Sequence, residues 1–238
     1  MRTEEIEYEA DGRTMIGHLV VGDGDGPRPG ILVAHEGPGL DVHAREVADR
    51  LAALGYAVFA LDYVGGGKPL PGDQLMEVLG PLMGEPHRIR ELARAGLDVL
   101  LAQPEVDGSR IVTMGFCFGG TLVLELARGG ADVLATIGFH SGLGTAHPED
   151  AANIRGQVLV LIGADDPIIP PEQRAEFEAE MRAGGVDWRM ELYGGAGHSF
   201  TNPAASDLGM PGIEYHEPSD RRSWASMLAV LEATVPLT

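Results

Sequence analysis

Compact runs of hydrophobic residues alternate with amphipathic stretches along most of the chain. Six runs have the length and composition of strands buried on both faces, as in parallel sheets: ILVAHE, YAVFALD, RIVTMGF, VLATIGFH, QVLVLIGADD and WRMELYGG. Apolar residues at helical spacing between them predict helices over about 42–54, 87–101, 121–128, 171–183 and 220–233. Alternating strands and helices imply right-handed crossovers and one doubly wound sheet.

The beginning of the chain has a different pattern. The segments EIEYE and TMIGHLVVG alternate polar and apolar residues and flank the turn dipeptide Asp11-Gly12, which predicts an antiparallel hairpin. No repeat, low-complexity tract or linker interrupts the remainder, so we interpret residues 1–238 as a single α/β domain with a mostly parallel sheet. The stretches 63–84 and 194–217 are predicted as loops long enough to shape a site.

Charge and cysteine content narrow the possible partners. The 238 residues carry a formal net charge of -19, which repels phosphate backbones and anionic headgroups, so neither a nucleic acid nor a membrane partner is expected. One cysteine excludes an internal disulfide, and neither a signal core nor an apolar run of membrane-spanning length is present. The sequence therefore predicts a cytoplasmic protein. It carries no signal for an oligomeric state.

That single cysteine, Cys117, lies in the segment MGFCFGG. The pattern G-x-C-x-G from Gly115 to Gly119 matches the nucleophile elbow G-x-S-x-G of α/β-hydrolases with sulfur in place of oxygen. Glycines are needed there because strand and helix approach closely at the turn. The helix N-terminus that follows favours a thiolate. A buried apolar thiol would fit the motif equally well.

Candidates for the acid and the base follow in the chain order of an α/β-hydrolase triad. The strand QVLVLIG ends before Asp165 and Asp166, and we favour Asp166 because the rigid turn at Pro167 can aim its carboxylate. The last strand leads to His198, which could take the thiol proton while Asp166 orients its ring. His35 and His140 end strands and could line the cleft. No metal-binding motif is present, and no cofactor is expected.

The segment VAHEGPGL follows the first parallel strand. In α/β-hydrolases this turn supplies one oxyanion-hole N–H and the residue after the nucleophile supplies the other, which predicts Gly37 and Phe118 as donors. Glu36 is unexpected in this place, because a carboxylate beside a reacting thiol is costly unless it interacts with the thiol or is neutral. The alternative is an exposed acid at the strand end, paired with Arg45 or another arginine.

The segments HEGPGL, GFCFGG, GADDPIIP and AGHSF, in this order, resemble the dienelactone hydrolase family. The resemblance extends from about Thr14 to Leu231. It implies an α/β-hydrolase fold, a triad of Cys117, Asp166 and His198, and a glutamate, Glu36, that meets the thiol at rest and gives way when substrate binds. The best-known members bind a substrate carboxylate with arginines, one of them shortly after the catalytic histidine. AGHSFTNPAASDLG contains no arginine, although Arg88 and Arg90 could serve from the loop side.

These residues predict a hydrolase of small carboxylic esters or lactones that works through a thioester acyl-enzyme. Tyr63, Arg88 and Phe200 are the predicted substrate contacts. Further candidates for the pocket are Lys68, Met83, Phe116, His140 and Trp188. Acyl transfer to an alcohol or amine would use the same residues. The alternative of another class is a ligand-binding or sensing protein on a hydrolase fold with little turnover.

Overall fold

Eight strands form one sheet in the order β1-β2-β4-β3-β5-β6-β7-β8. The structure, a computed structural model, describes residues 1–24 and 26–237. The strands are β1 (Arg2–Ala10), β2 (Arg13–Val21), β3 (Arg28–Ala34), β4 (Ala57–Leu61), β5 (Val106–Phe116), β6 (Ala135–Phe139), β7 (Gln157–Gly163) and β8 (Trp188–Tyr193). The six predicted parallel strands are β3 to β8.

The N-terminal hairpin is confirmed. β1 and β2 pair antiparallel with Ala10 opposite Arg13, and β2 pairs antiparallel with β4. Asp11 and Gly12 have φ of 50° and 69°, the left-handed backbone that a two-residue turn of this kind requires. All other pairings in the sheet are parallel.

Helices cover both faces of the sheet. They are α1 (Val42–Leu54), α2 (Leu75–Leu79), α3 (Pro86–Leu101), α4 (Phe118–Arg128), α5 (Pro171–Gly184) and α6 (Glu217–Thr234). Buried residues of α1 and α6 pack on one face, and those of α3, α4 and α5 pack on the other. This doubly wound arrangement confirms the predicted fold class.

Two details differ from the sequence-based expectations. Helix α4 begins at Phe118, three residues earlier than predicted, because the glycines that weaken helix propensity there are needed for close packing. The stretch predicted as a loop over 63–84 contains α2, flanked by 3₁₀ turns at Gly72–Gln74 and Gly80–Leu82. Elements of three to five residues are too short to show a period in the sequence.

The glycine run after β4 is held in place by Asp62. Its carboxylate accepts hydrogen bonds from the backbone N–H groups of Ile16, Val64, Gly65 and Gly67, at 2.8 to 3.1 Å. Burial raises the pKa of Asp62, but His35 and these N–H groups outweigh it and lower the pKa to about 2. The segment that leads into α2 therefore starts from a fixed turn.

The parallel strands bring their carboxyl ends to one edge of the sheet. β3, β5, β7 and β8 end just before the segments that contain Glu36, Cys117, Asp166 and His198. In open α/β sheets ligands bind beyond this edge. The predicted site residues therefore converge from four separate parts of the chain.

Candidate active site

Cys117 occupies a strained turn between β5 and α4. Its backbone has φ 53° and ψ -120°, a conformation that side-chain-bearing residues rarely adopt and that recurs at functional sites. A Cβ on Gly115 would lie 2.2 Å from the carbonyl oxygen of Gly119, and one on Gly119 would lie 2.2 Å from that of His35. Strand and helix thus pack too closely for a side chain at position 115 or 119.

Asp166 and His198 are hydrogen-bonded. Nδ1 of His198 lies 2.8 Å from Oδ2 of Asp166, and both side chains are buried. The other oxygen of Asp166 accepts from the N–H groups of Ile168 and Ile169 at 2.8 and 3.2 Å, which fixes the carboxylate. Asp165, the alternative acid, instead accepts from the N–H of Gly195. The structure therefore brings Asp166 to the histidine.

The ring of His198 is poised between an acid and a thiol. Burial lowers its pKa, but the hydrogen bond with Asp166 and the neighbouring side chain of Cys117 outweigh burial and raise the pKa to about 10. Nε2 has no hydrogen-bond partner among the described residues. The arrangement can hold a proton on His198 at neutral pH while Asp166 fixes the ring.

Gly37 and Phe118 lie next to each other. A Cβ built on Gly37 would be 4.0 Å from Cβ of Phe118, so the turn after β3 runs directly beside the elbow. Phe118 is the first residue of α4, and its N–H therefore has no acceptor within the helix. Leu75 and Leu79 of α2 pack over Gly37, which covers this corner of the site with apolar side chains.

Glu36 is buried and points towards the histidine loop, defined as residues 194–202. Its Oε2 accepts a hydrogen bond from Oγ of Ser199 at 3.3 Å, whereas Oε1 has no partner among the described residues. Burial and the charge of Asp41 raise the pKa of Glu36 to about 7, and His198 lowers it in part. A carboxyl with this pKa exists in both protonation states near neutrality.

The expected partners of Glu36 are not its partners in this structure. The carboxyl is hydrogen-bonded to Ser199 and not to the thiol of Cys117, so the contact at rest that the resemblance implies stays a prediction. The exposed pair with Arg45 is not formed either. Arg45 instead donates to Glu5 and to the carbonyl oxygen of Gly67, since the β1–β2 hairpin supplies a nearer acid.

The buried carboxyl of Glu36 predicts a stability that falls as pH rises. Between its ordinary pKa of 4.5 and about 7, the unfolded chain releases a proton that the folded protein keeps, so the penalty grows over this window and is complete above it. We expect Glu36→Gln to raise the free energy of unfolding by about 2 kcal/mol at pH 8 and by little at pH 4.5. Urea unfolding at both pH values measures this.

The exposed helix residue Glu46 provides the matched control, because Glu46→Gln removes the same charge without a buried site. We expect its effect to be small and similar at both pH values. A stabilisation by Glu36→Gln that is the same at pH 4.5 and pH 8 would contradict a raised pKa of Glu36.

The three predicted substrate contacts lie in different places. Tyr63 and Phe200 are fully buried: Tyr63 stacks on His35, and Phe200 packs against His140 and Tyr193. They can support the site from beneath but offer no exposed surface to a ligand. Arg88 donates two hydrogen bonds to Asp11 in the hairpin turn. The expectation that it faces the substrate is not supported, because this nearer carboxylate binds its guanidinium.

The other pocket candidates are also spread out. Trp188 begins β8 and packs on Phe177, at the opposite edge of the sheet from Cys117, so it cannot line the site. Met83 is exposed after α2. Lys68 lines a cavity of about 560 Å³ beside α1, whose wall includes Asp41, His43 and Asn202. Asn202 donates to Asp41 at 3.4 Å, so this cavity adjoins the surroundings of Glu36.

Several residues at the site escaped the sequence-based list. Ser199 contacts Glu36, has a positive φ of 55°, and carries no signal in the sequence beyond its place after His198. Asp41 caps α1 by accepting from the N–H of Ala44, a role that the pattern of an acid before a helix could have revealed. His140 is among the predicted pocket residues, but its hydrogen bond with the backbone N–H of Cys117 has no signal in the sequence.

Metal-binding and membrane-spanning features are not found in the part of the chain that the structure describes. Across residues 1–24 and 26–237, no three His, Cys, Asp or Glu side chains are grouped as potential metal ligands. Within the same residues, no helix combines the length and the hydropathy of a membrane span.

A doubly wound, mostly parallel sheet with a strained strand-to-helix turn in the pattern G-x-C-x-G is the architecture of the α/β-hydrolase fold. The chain belongs to the dienelactone hydrolase family, whose sequence profile matches residues 16–235. It is accordingly a hydrolase.

Known relatives agree with this assignment. A solved structure named m3DLH superposes with a TM-score of 0.94 at 44% identity, covering 98% of both chains. A dienelactone hydrolase-like promiscuous phosphotriesterase from metagenomic libraries superposes with a TM-score of 0.93 at 39% identity, again over 98% of both chains. A putative carboxymethylenebutenolidase from Salmonella typhimurium is 29% identical over 216 residues, 86% of this chain and 77% of that protein.

Proposed function

We propose that the protein hydrolyses small carboxylic esters or lactones with Cys117 as nucleophile, His198 as general base and Asp166 as the group that orients His198. The observation that carries the proposal is the 2.8 Å hydrogen bond between Asp166 and His198 beside the strained turn of Cys117. A nucleophile, a base and an orienting acid in contact are the requirement for covalent acyl transfer.

The reaction has two halves. The thiol proton of Cys117 is first transferred to Nε2 of His198, where the raised pKa holds it, and Sγ then attacks the carbonyl carbon as the thiolate. Collapse of the tetrahedral intermediate breaks the carbon–oxygen bond, and the leaving alkoxide takes this proton. A water molecule then attacks the thioester, giving its proton to His198, which returns it to the departing sulfur. The raised pKa of His198 supports its role as proton carrier.

The oxyanion of each tetrahedral intermediate is proposed to bind the N–H groups of Gly37 and Phe118. Their close approach supports a shared target. Two aimed backbone donors contribute roughly a few kcal/mol to transition-state stabilisation. Leu75 and Leu79 keep water away from this corner, which strengthens these hydrogen bonds.

Glu36 is proposed to control the thiol. The contact with Ser199 corresponds to the position in which the carboxyl has left the sulfur, and rotation towards Cys117 gives the resting position. A carboxylate facing the sulfur opposes thiolate formation, whereas one turned to Ser199 does not. Substrate in the site would hold Glu36 in the second position.

The acidic side chains around the site and the lack of an unpaired arginine among the predicted contacts favour uncharged substrates. Asp166, Glu36 and Asp41 surround the site, and Arg88 is bound to Asp11. Arg90, the other candidate for a substrate carboxylate, is bound to Glu125 and Asp150. We therefore propose neutral esters and lactones as preferred substrates.

The direct test is to trap the acyl-enzyme. After rapid mixing with an aryl acetate and acid quenching, mass spectrometry of the intact protein should show one added acetyl group, and peptide mapping should place it on Cys117. The exposed His147 provides the control variant His147→Gln, which should acylate normally. Acetylation elsewhere, or turnover without acetylated protein, would contradict the mechanism. Acylation without turnover would favour the ligand-sensing alternative.

Phosphotriester hydrolysis is a second candidate. It is favoured by the phosphotriesterase relative, which is 39% identical over 98% of the chain. A thiolate can displace an aryloxide from phosphorus, and an uncharged triester suits the acidic surroundings. Release of nitrophenolate from a dialkyl nitrophenyl phosphate, lost in Cys117→Ala, would establish it.

A further inference from the structure

His140 is held in a strained conformation directly after β6. Four non-glycine residues among those described have positive φ, and three of them surround the site: Cys117, His140 and Ser199. His140 has φ 40°, and its N–H donates to the carbonyl oxygen of Leu161 at 2.8 Å. Such strain costs about 1–3 kcal/mol and persists only where the surroundings enforce it. The ring is therefore kept in place despite an unfavourable backbone.

The contacts of the His140 ring define its tautomer. The backbone N–H of Cys117 donates to the carbonyl oxygen of Phe139 at 3.0 Å and also to Nδ1 of His140 at 3.2 Å, so Nδ1 carries a lone pair. The ring proton is then on Nε2, which lies 2.9 Å from Oγ1 of Thr201. Burial and the positive charges of His198 and His43 keep the pKa of His140 well below its ordinary value. The ring is thus a neutral link between two loops.

Nε2 of His140 also faces the unsatisfied oxygen of Glu36. Oε1 is 3.8 Å away and has no hydrogen-bond partner among the described residues, although it is buried. The single proton on Nε2 is directed to Thr201, so Oε1 faces the positive edge of the ring without a full hydrogen bond. The ring of His198 lies 5.2 Å from that of His140, which places all these groups in one cluster.

We propose that His140 is a positioning residue of the active site, which ties the elbow of Cys117 to the histidine loop through Thr201 and turns the positive Nε2 edge of its ring to the carboxyl of Glu36. The proposal deepens the proposed function, since it assumes that Cys117 and His198 do the chemistry. His140 touches no reacting atom. It acts by fixing the nucleophile's backbone and by stabilising Glu36 in the position turned away from the sulfur.

Several titratable groups face His140 and Glu36 and contribute to their ionisation. They are Asp41 and His43 from the start of α1, Tyr63 after β4, Cys117 at the elbow, and His198 in the histidine loop. None of them hydrogen-bonds to Oε1 of Glu36, and Nε2 of His140 lies 3.8 Å from this oxygen. Removing the N–H dipole of Nε2 should therefore raise the pKa of Glu36.

Two variants distinguish the effect of the aromatic shape of His140 from the effect of its hydrogen bonds. His140→Phe keeps an aromatic ring without a donor, and His140→Gln keeps an amide donor near the place of Nε2. The titration of Glu36 is followed by the infrared band of its protonated carboxyl, assigned by its loss in Glu36→Gln. We expect the midpoint to rise by about 0.5–1 pH unit in His140→Phe and by less than about 0.3 in His140→Gln.

Steady-state kinetics provide the second measurement. We expect His140→Phe to lower kcat for an aryl ester at least about 10-fold with KM within about threefold, because the nucleophile is misplaced while ground-state binding is kept. His140→Gln should lose less. A folded His140→Phe with an unchanged Glu36 titration and kcat would overturn the proposal, as would equal shifts in the two variants.

The wild-type protein gives a test that does not depend on variants folding. Nitrogen and carbon chemical shifts of the His140 ring should report the neutral Nε2–H tautomer from pH 5 to pH 9. A proton on Nδ1, or an imidazolium within this range, would overturn the proposal. The chemical shifts and the titration of Glu36 are measured without substrate. A failure of this proposal can therefore be distinguished from a failure of the proposed function, which Cys117→Ala tests.

Discussion

Replacing Cys117 with alanine is expected to lower kcat/KM for a short-chain aryl ester at least about 1,000-fold. Without sulfur no thioester can form, and the oxyanion donors and His198 are left with water as the only nucleophile. The measurement is release of the aryl alcohol under saturating and limiting substrate. A decrease smaller than about 10-fold would show that hydrolysis does not pass through Cys117.

Cys117→Gly provides the matched control for folding. The backbone at position 117 has φ 53°, which a residue without Cβ adopts freely. We therefore expect the glycine variant to be as inactive as the alanine variant but more stable than it by about 1 kcal/mol. Equal stability of the two would contradict strain at the elbow. Greater stability of the glycine variant would support strain in the backbone at position 117.

The predictable part of the fold is the part that each segment determines by itself. Strand β7 is an almost continuous apolar run, and the apolar residues of α1 lie on one stripe. Each element could therefore be predicted over nearly its observed range. The start of α4 could not, because Gly119 lowers local helix propensity while tertiary packing demands a residue without a side chain. Local preference and packing disagree at the elbow, where function is expected.

The candidate site also has a part that the sequence predicts and a part that it does not. Cys117, Asp166 and His198 can be singled out in the sequence because each follows a strand and their chain order is informative. Contacts between side chains from distant segments leave no such pattern. The link from His140 to Thr201 joins residues 61 positions apart. The pairing of Arg88 with Asp11 joins residues 77 positions apart and removes a predicted substrate contact.

Arg128→Met is expected to lower the free energy of unfolding by about 3–5 kcal/mol, the largest stability effect we expect from a residue outside the site. Arg128 ends α4 and is fully buried. It donates to both oxygens of Glu180 at 2.7 and 2.9 Å, to Glu125 at 3.0 Å and to the carbonyl oxygen of Leu143 at 2.8 Å. Methionine fills the space but leaves Glu180 and the carbonyl oxygen of Leu143 without their donor.

Thermal and urea unfolding measure this effect, and for a chain of this size it corresponds to a decrease in Tm of about 10 °C. The matched control is Arg182→Met on α5, where an exposed arginine pairs with Glu178 one turn away. We expect this control to change stability by less than about 1 kcal/mol, because exposed pairs contribute little. Similar losses in the two variants would contradict a special role for the buried network.

Removing Glu180 as well as Arg128 shows whether the lost stability comes from an unpaired carboxylate or from poorer packing. In Arg128→Met, Glu125 keeps Arg90 as a partner at 2.8 Å, whereas Glu180 keeps a buried charge with no remaining ion pair among the described residues. The double variant Arg128→Met/Glu180→Leu should therefore be more stable than Arg128→Met alone, with a coupling energy of at least about 1 kcal/mol. A double variant as unstable as the sum of the two singles would mean that packing around α4, and not the unpaired carboxylate, accounts for the cost.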